Sequence, residues 1–226
     1  PDPVVLATWE VKMGKLKMVS QELGMGRTNC YLVFDEETKE GAVIDPAGEA
    51  SWILDWCGRL GISLKAVLLT HGHGDHTGGV LGLSDRLGIP VYAGKQEKEL
   101  LASPSMNLSP YFGGAVSIKK VCLLEDNQEL FLCGHRWKVL WTPGHTAGGV
   151  CYYLEEEGLL FSGDTLFCES YGRTDFPTGD MGALRSSIRE KILSLPDEVK
   201  VYPGHEGETT IGNEKRNNPL AGYWRD

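Results

Sequence analysis

Four short apolar runs in this 226-residue chain each break into a turn that carries a histidine or an aspartate. Residues 66–70 lead into His71-Gly72-His73-Gly74-Asp75-His76, and Trp141-Thr142-Pro143-Gly144 leads into His145. Phe161-Ser162-Gly163 leads into Asp164, and Val201-Tyr202-Pro203-Gly204 into His205. Short runs of this kind bounded by turn residues read as buried β-strands. Loops at strand ends on a rigid scaffold are where sites are built. The pattern therefore demands a sheet whose one edge collects seven side chains: His71, His73, Asp75, His76, His145, Asp164 and His205. His71 and His73, two apart, fall on the same side of an extended backbone. Gly72 and Gly74 let the chain turn sharply, which brings Asp75 and His76 round to the same cavity.

Five of the six histidines stand in these turns. A single histidine after a strand is ordinarily solvated or hydrogen-bonded, and carries no message. Five imidazoles and two carboxylates buried together would leave a large desolvation cost unmet unless a cation shares the cavity. Nitrogen and carboxylate donors suit zinc, iron or manganese. The expectation is a metal centre, with zinc first among the ions that suit it. His135, in a Cys133-Gly134-His135-Arg136 turn, falls outside the pattern and is expected at the surface.

The rest of the chain reads as two runs of strands with helices. Strands are expected at 17–22, 30–34, 42–44, 66–70 and 91–93, with helices at 50–60 and 79–87. In the second half strands are expected at 121–124, 129–132, 138–141, 150–154, 159–162 and 199–202. A helix over 181–195 carries Leu184, Ile188, Ile192 and Leu195 on one stripe, with Asp180 as N-cap and Pro196 beyond it. A last helix is expected over 210–217. Strands and helices in both halves suggest two packed sheets with helices outside, an α/β class in four layers.

Composition narrows the partners. A formal net charge of -9 argues against nucleic acid and leaves a small-molecule substrate. The longest apolar runs are too short to cross a bilayer. Six cysteines without a C-x-x-C pair read as reduced thiols, and no basic-then-apolar leader opens the chain. Both observations point to a cytoplasmic location. Composition is silent on oligomeric state. The early tryptophans Trp9, Trp52 and Trp56 are expected in the core or at an edge, and the first fifteen residues as an extra edge strand or a subunit contact. Arg173 and Asp175 are expected to brace the loop behind Asp164, and Lys215 and Arg216 to lie on a solvated helix face.

The H-x-H-x-D-H signature with a later His, Asp and His resembles the metallo-β-lactamase superfamily, from Thr28-Asn29-Cys30-Tyr31 to Asn218-Pro219. The resemblance implies a four-layer αβ/βα sandwich, with residues 1–226 as one domain. It implies that His71, His73 and His145 hold one metal and Asp75, His76 and His205 the second, with Asp164 bridging. Within the superfamily, residues 162–167, 172–176 and 209–215 and Tyr202-Pro203-Gly204-His205 most resemble bacterial glyoxalase II-like proteins, the hydroxyacylglutathione hydrolases and their relatives. Two departures stand out. His205-Glu206-Gly207 replaces the usual His-Gly-Pro. Full-length glyoxalase II also continues into a helical domain that supplies basic residues for glutathione, whereas only residues 206–226 follow His205, so that domain is expected to be absent.

The reaction so implied is hydrolysis of a thioester or ester by water activated between two metals, with Asp75 both a ligand and the acceptor that orients the nucleophile. No serine or cysteine nucleophile stands in a G-x-S-x-G context. The alternatives are a persulfide dioxygenase with one iron on His71, His145 and Asp164, and a lactonase on the same dinuclear centre. A non-enzymatic metal-binding or redox-partner module is disfavoured because all seven ligands are present. A β-lactamase is disfavoured by the missing export signal, and a nuclease by the acidic chain and the lack of nucleic-acid-binding insertions.

Overall fold

The computed structural model describes residues 15–221. Strand β2 (Thr28–Asp35) explains the layering, because it is apolar on both faces. Cys30, Leu32 and Phe34 enter one core cluster, while Tyr31 and Val33 enter another. Successive strand side chains point to opposite faces, so such a strand must lie between two layers. Strand β4 (Ser63–Leu68) divides in the same way, Val67 to one core and Ala66 and Leu68 to the other. In β9 (Val150–Leu154), Val150, Tyr152 and Leu154 share the second core, and Cys151 and Tyr153 enter a third. Three cores separate four layers: helices, sheet, sheet, helices. This is the metallo-β-lactamase fold that the signature implies.

The first sheet has the order β1-β2-β3-β4-β5-β6 and completes with β1 (Leu16–Leu23), β3 (Glu40–Ile44), β5 (Val91–Gly94) and β6 (Cys122–Leu124). It is antiparallel from β1 to β3 and parallel from β3 to β6. The second sheet has the order β14-β13-β10-β9-β8-β7. Its strands are β7 (Glu129–Leu132), β8 (His135–Trp141), β9, β10 (Leu159–Gly163), β13 (Lys200–Pro203) and β14 (Thr209–Thr210). A short ribbon pairs β11 (Leu166–Phe167) with β12 (Ser170–Tyr171).

Helix α1 (Ala50–Leu60) buries Ile53 and Cys57 and ends where Gly61 turns left-handed at φ 68°. Trp52 departs from expectation: it is 63% exposed, since its position lies off the Ile53–Cys57 stripe, whereas Trp56 packs against the core. Trp9 and the rest of residues 1–14 lie outside the described residues. Short helices α2 (Gly74–Thr77) and α3 (Val80–Leu87) follow β4, and α4 (Lys98–Ala102) and α5 (Pro104–Asn107) follow β5. Asp180 caps α6 (Met181–Ser187), accepting from Ala183 N at 2.8 Å. The expected single helix widens to a π-helix over Ile188–Ile192, which keeps Leu184, Ile188 and Ile192 buried together. Thr210 caps α7 (Ile211–Asn217).

Between the sheets Phe161 stacks on Trp137 and Tyr202 and meets the edge of Tyr31. The buried phenols find main-chain acceptors next to the ligand loops. Tyr152 donates to Leu69 O at 2.8 Å, and Tyr31 to Pro203 O at 2.6 Å, each two residues before a site histidine. His135 corrects the sequence expectation: it is 1% exposed and starts β8 far from the ligand loops. Its Nδ1 pairs with Glu157 Oε1 and its Nε2 lies 3.8 Å from Asp35 Oδ2, so the two carboxylates draw the imidazole inward. All six cysteines are unpaired; Cys30, Cys57, Cys133 and Cys151 are buried, and burial lifts the Cys57 and Cys151 thiols to about 11.

Candidate metal centre

The end of β4 and the turn into α2 carry His71, His73, Asp75 and His76. His145 lies between β8 and β9, Asp164 follows β10, and His205 follows β13. The structure brings all seven side chains together. Three sets have ligand atoms within 4.8 Å of one another: His71, His73 and His145; His71, His76 and Asp164; and Asp75, His76 and His205. Asp164 lies among them. Its Oδ1 is 3.4 Å from His76 Nε2, and its Oδ2 is 3.6 Å from His145 Nε2 and 3.5 Å from His205 Nε2. Asp75 Oδ2 lies 3.4 Å from His205 Nε2 and 3.8 Å from His76 Nε2. Donors bound tetrahedrally at about 2.0–2.1 Å lie about 3.4 Å apart, so these spacings suit a shared cation.

Hydrogen bonds fix which nitrogen each ring offers. His145 Nδ1 donates to Arg173 O at 2.7 Å. His76 Nδ1 donates to Asp45 Oδ2 at 2.9 Å. The Thr70 hydroxyl gives its proton to Asp45 Oδ2 at 2.6 Å and so accepts from His71 Nδ1 at 3.2 Å. Each of these rings turns Nε2 towards the cavity as the nitrogen it would offer a metal. The His71 and His76 Nε2 atoms and Asp164 Oδ1 are buried without a hydrogen-bond partner. His73 Nδ1 lies 3.0 Å from His145 Nε2, a separation at which two lone pairs repel unless a proton or cation lies between them. Burial of so many unmatched acceptors is costly. The donor set fits a metal.

The charges are interdependent. Burial and the facing imidazoles hold His71 well below the ordinary histidine value, and push His73 down to about 3. Burial also acts against a proton on His76, but Asp164, Asp45 and Asp75 outweigh it and raise that ring. His205 is raised too, its burial overcome by Asp75 and Asp164. Burial opposes ionisation of Asp164, yet His76, His145 and His205 hold it well below the usual carboxylate range.

Asp45 is the site residue that the sequence reading missed. It is 1% exposed, accepts from Thr70 N at 2.8 Å and orients two histidines. The available signal was its place just past β3, the same strand-end position the ligands occupy. Arg173 and Asp175 form an exposed bidentate pair at 2.7 Å, and the brace behind His145 is the main-chain carbonyl of Arg173. Lys215 pairs outward with Asp197, on the solvated face expected for it. The centre opens into a cleft of ≈ 470 Å³, walled by Leu108, Phe112, Phe167 and Phe176 and edged by Arg173 and Glu206. The Arg173 guanidinium lies 3.9 Å over the Phe176 ring.

Fold and site together define a metallohydrolase-type chain, and residues 23–205 match the metallo-beta-lactamase superfamily profile. The chain belongs to that superfamily, whose members bind one or two metal ions and are generally hydrolases. It is 41% identical over 198 residues to hydroxyacylglutathione hydrolase GloC of Haemophilus influenzae, covering 85% of this chain and 92% of GloC. Among solved structures, the BLEG-1 B3 metallo-beta-lactamase superposes with a TM-score of 0.85 at 38% identity, over 91% of this chain and 99% of that one. TTHA1623, solved in a di-iron-bound form, superposes with a TM-score of 0.80 at 37% identity, over 89% of this chain and 99% of the other.

Proposed function

We propose that this protein is a dinuclear metal-dependent hydrolase of thioesters of the hydroxyacylglutathione type. His71, His73 and His145 hold one ion, Asp75, His76 and His205 hold the other, and Asp164 is shared. The observation that carries the reading is the Asp164 carboxylate, whose two oxygens face histidines of both groups at 3.4–3.6 Å. A second complete group favours two ions over the single iron of a dioxygenase. The likeness to GloC supports the thioester, and the di-iron form of TTHA1623 supports the ion count while keeping iron beside zinc and manganese as candidates.

Two divalent ions in such a site would bring the pKa of water towards neutrality and polarise a carbonyl. Everything else falls to side chains of this chain. Asp164 stays ionised and supplies negative charge to both groups. Asp75, at the mouth of the cleft, is the catalytic carboxylate that orients the attacking water. Leu108, Phe112, Phe167 and Phe176 hold the acyl group and exclude bulk water. Arg173, held by Asp175, meets an acidic substrate group at the rim. The reading takes residues 1–226 as one domain acting in the cytoplasm on a small molecule; the unpaired thiols support that location.

Elemental analysis and a substrate panel test it: hydroxyacylglutathione thioesters, lactones, a β-lactam and glutathione persulfide, each against zinc-, iron- and manganese-loaded protein. Thioester hydrolysis with two ions per chain is expected. Less than one ion per chain, with no activity gained on adding metal, would sink the reading. Oxygen uptake with glutathione persulfide, and no hydrolysis, would replace it.

A further inference from the structure

One carboxylate outside the seven touches both loops that carry the first histidine group. Glu97 stands in Lys95-Gln96-Glu97-Lys98, a charge run whose composition suggests a solvated turn, yet it is 0% exposed. Its Oε1 accepts from Gly72 N at 2.8 Å, and Gly72 lies between His71 and His73. Its Oε2 accepts from Thr146 Oγ1 at 3.0 Å and Gly148 N at 2.9 Å, just past His145. The two loops spring from different sheets, so this side chain ties one sheet to the other at the rim of the centre. Packing leaves it no slack. A Cβ on Gly148 would lie 2.1 Å from Glu97 N, and one on Gly72 would meet the methyls of Leu100 and Leu101 in α4 at 2.8 Å. Burial lifts the Glu97 carboxyl to about 7 against the pull of its three donors.

We propose that Glu97 is a positioning residue that sets the spacing between the His71–His73 loop and the His145 loop, and with it the affinity of the first histidine group for its ion. The inference rests on the metal reading above. The contact it controls is the 3.0 Å approach of His73 Nδ1 to His145 Nε2, which joins the two loops. Asp75, His76 and His205 receive nothing from Glu97, so the second group keeps its affinity when the clamp is lost. Gln is nearly isosteric with Glu, but its NH₂ would face backbone N–H or hydroxyl donors. E97Q therefore sets donor against donor at one side of the clamp.

The test titrates metal-stripped wild type, E97Q and T146V with zinc against a chromophoric chelator and with cobalt(II) by its visible absorption, with far-UV circular dichroism to check folding. Wild type is expected to take up two ions. E97Q should keep one at wild-type affinity and weaken the other by about 10–100-fold, the range for partners that orient a ligand. T146V removes one of the three donors and should weaken the same ion by a few-fold, less than E97Q does. Two ions at wild-type affinity in E97Q, or equal weakening of both, overturns the clamp. Should E97Q fail to fold, unchanged binding of both ions by T146V overturns it. A wild-type protein that binds no ion removes the metal reading itself, and the clamp with it.

Discussion

An alanine at position 204 would place its Cβ 2.2 Å from Asp164 Oδ1 and 2.7 Å from His76 Cε1. Carbon and oxygen rest at about 3.4 Å or more, so the carboxylate must retreat by about 1 Å. The loop itself cannot yield easily. Gly204 N donates to Gly163 O at 2.8 Å, and Gly204 O accepts from Asn29 N at 2.8 Å. The backbone at Gly204 lies outside the left-handed region, so the clash is the whole perturbation. Overpacking of this kind costs about 1–3 kcal/mol. A 1 Å misplacement near reacting groups costs about 10²-fold in rate. G204A is therefore expected to lose about 2 kcal/mol in urea unfolding of the metal-free protein and about 10²-fold in kcat/KM on the thioester. The control is G207A, three residues on, where a Cβ meets nothing within 4 Å. It should stay within about 0.5 kcal/mol of wild type with activity unchanged. Wild-type activity and ion content in G204A would mean that Asp164 Oδ1 does not occupy the place on which the centre depends.

Phe161→Ala empties the aromatic stack between the sheets, where Phe161 is 0% exposed, and is expected to cost about 3–5 kcal/mol in urea unfolding; a loss below about 1 kcal/mol would show that the stack repacks. His135→Ala leaves Glu157 Oε1 without its imidazole partner and opens a void at a buried position, and should cost about 1–3 kcal/mol, whereas a surface histidine would cost almost nothing. In the metal-free protein His76 and His205 are raised above 6.5 and His71 and His73 lowered below it. The raised pair stabilises the metal-free fold fully below pH 6.5 and loses that contribution as pH rises through the folded values. An ion entering the Asp75, His76 and His205 group must displace those protons, so its affinity should rise with pH above 6.5, and the first group's much less. Calorimetry in two buffers of different protonation heat checks this, and equal proton release from both groups would refute it.

The candidate ligand set was legible because its residues sit in or just past turns that follow apolar strands, a rule that needs no tertiary information. Helix α1 was legible to the residue because Gly61 stops it in the left-handed region. What escaped depends on partners distant in sequence. Glu97 is surrounded by charged residues along the chain, and only the fold brings Gly72, Thr146 and Gly148 to it. His135 reads as a surface turn until Asp35, at the end of β2, and Glu157, in the turn between β9 and β10, arrive beside it. The widening of the helix after Ser187 is equally invisible to periodicity, since Leu184, Ile188 and Ile192 repeat every four residues in either register. Trp52 shows the reverse error: hydrophobic character alone suggested burial, but helical phase turned it outward.

The ligand groups also explain why the sandwich and the centre behave as one unit. His71, His73, Asp75 and His76 hang from the first sheet, whereas His145, Asp164 and His205 hang from the second. Each group that could hold an ion draws on both, so neither exists unless the sheets are in register. The Tyr152 bond to Leu69 O and the Tyr31 bond to Pro203 O carry that register from the inter-sheet core to the ligand loops. Linkage then runs in both directions. Damage to the core weakens metal binding, and an ion at a hundred times its dissociation constant stabilises the fold by about 2.7 kcal/mol, comparable to a large core side chain. Three of the four apolar walls of the cleft stand apart from this coupling; Phe167, in β11 just past Asp164, is the exception. Leu108 and Phe112 come from the helical segment after β5, and Phe176 from the loop before α6, neither part of a sheet. Substrate preference can therefore change in these segments while the sheets and the candidate metal groups they carry stay as they are.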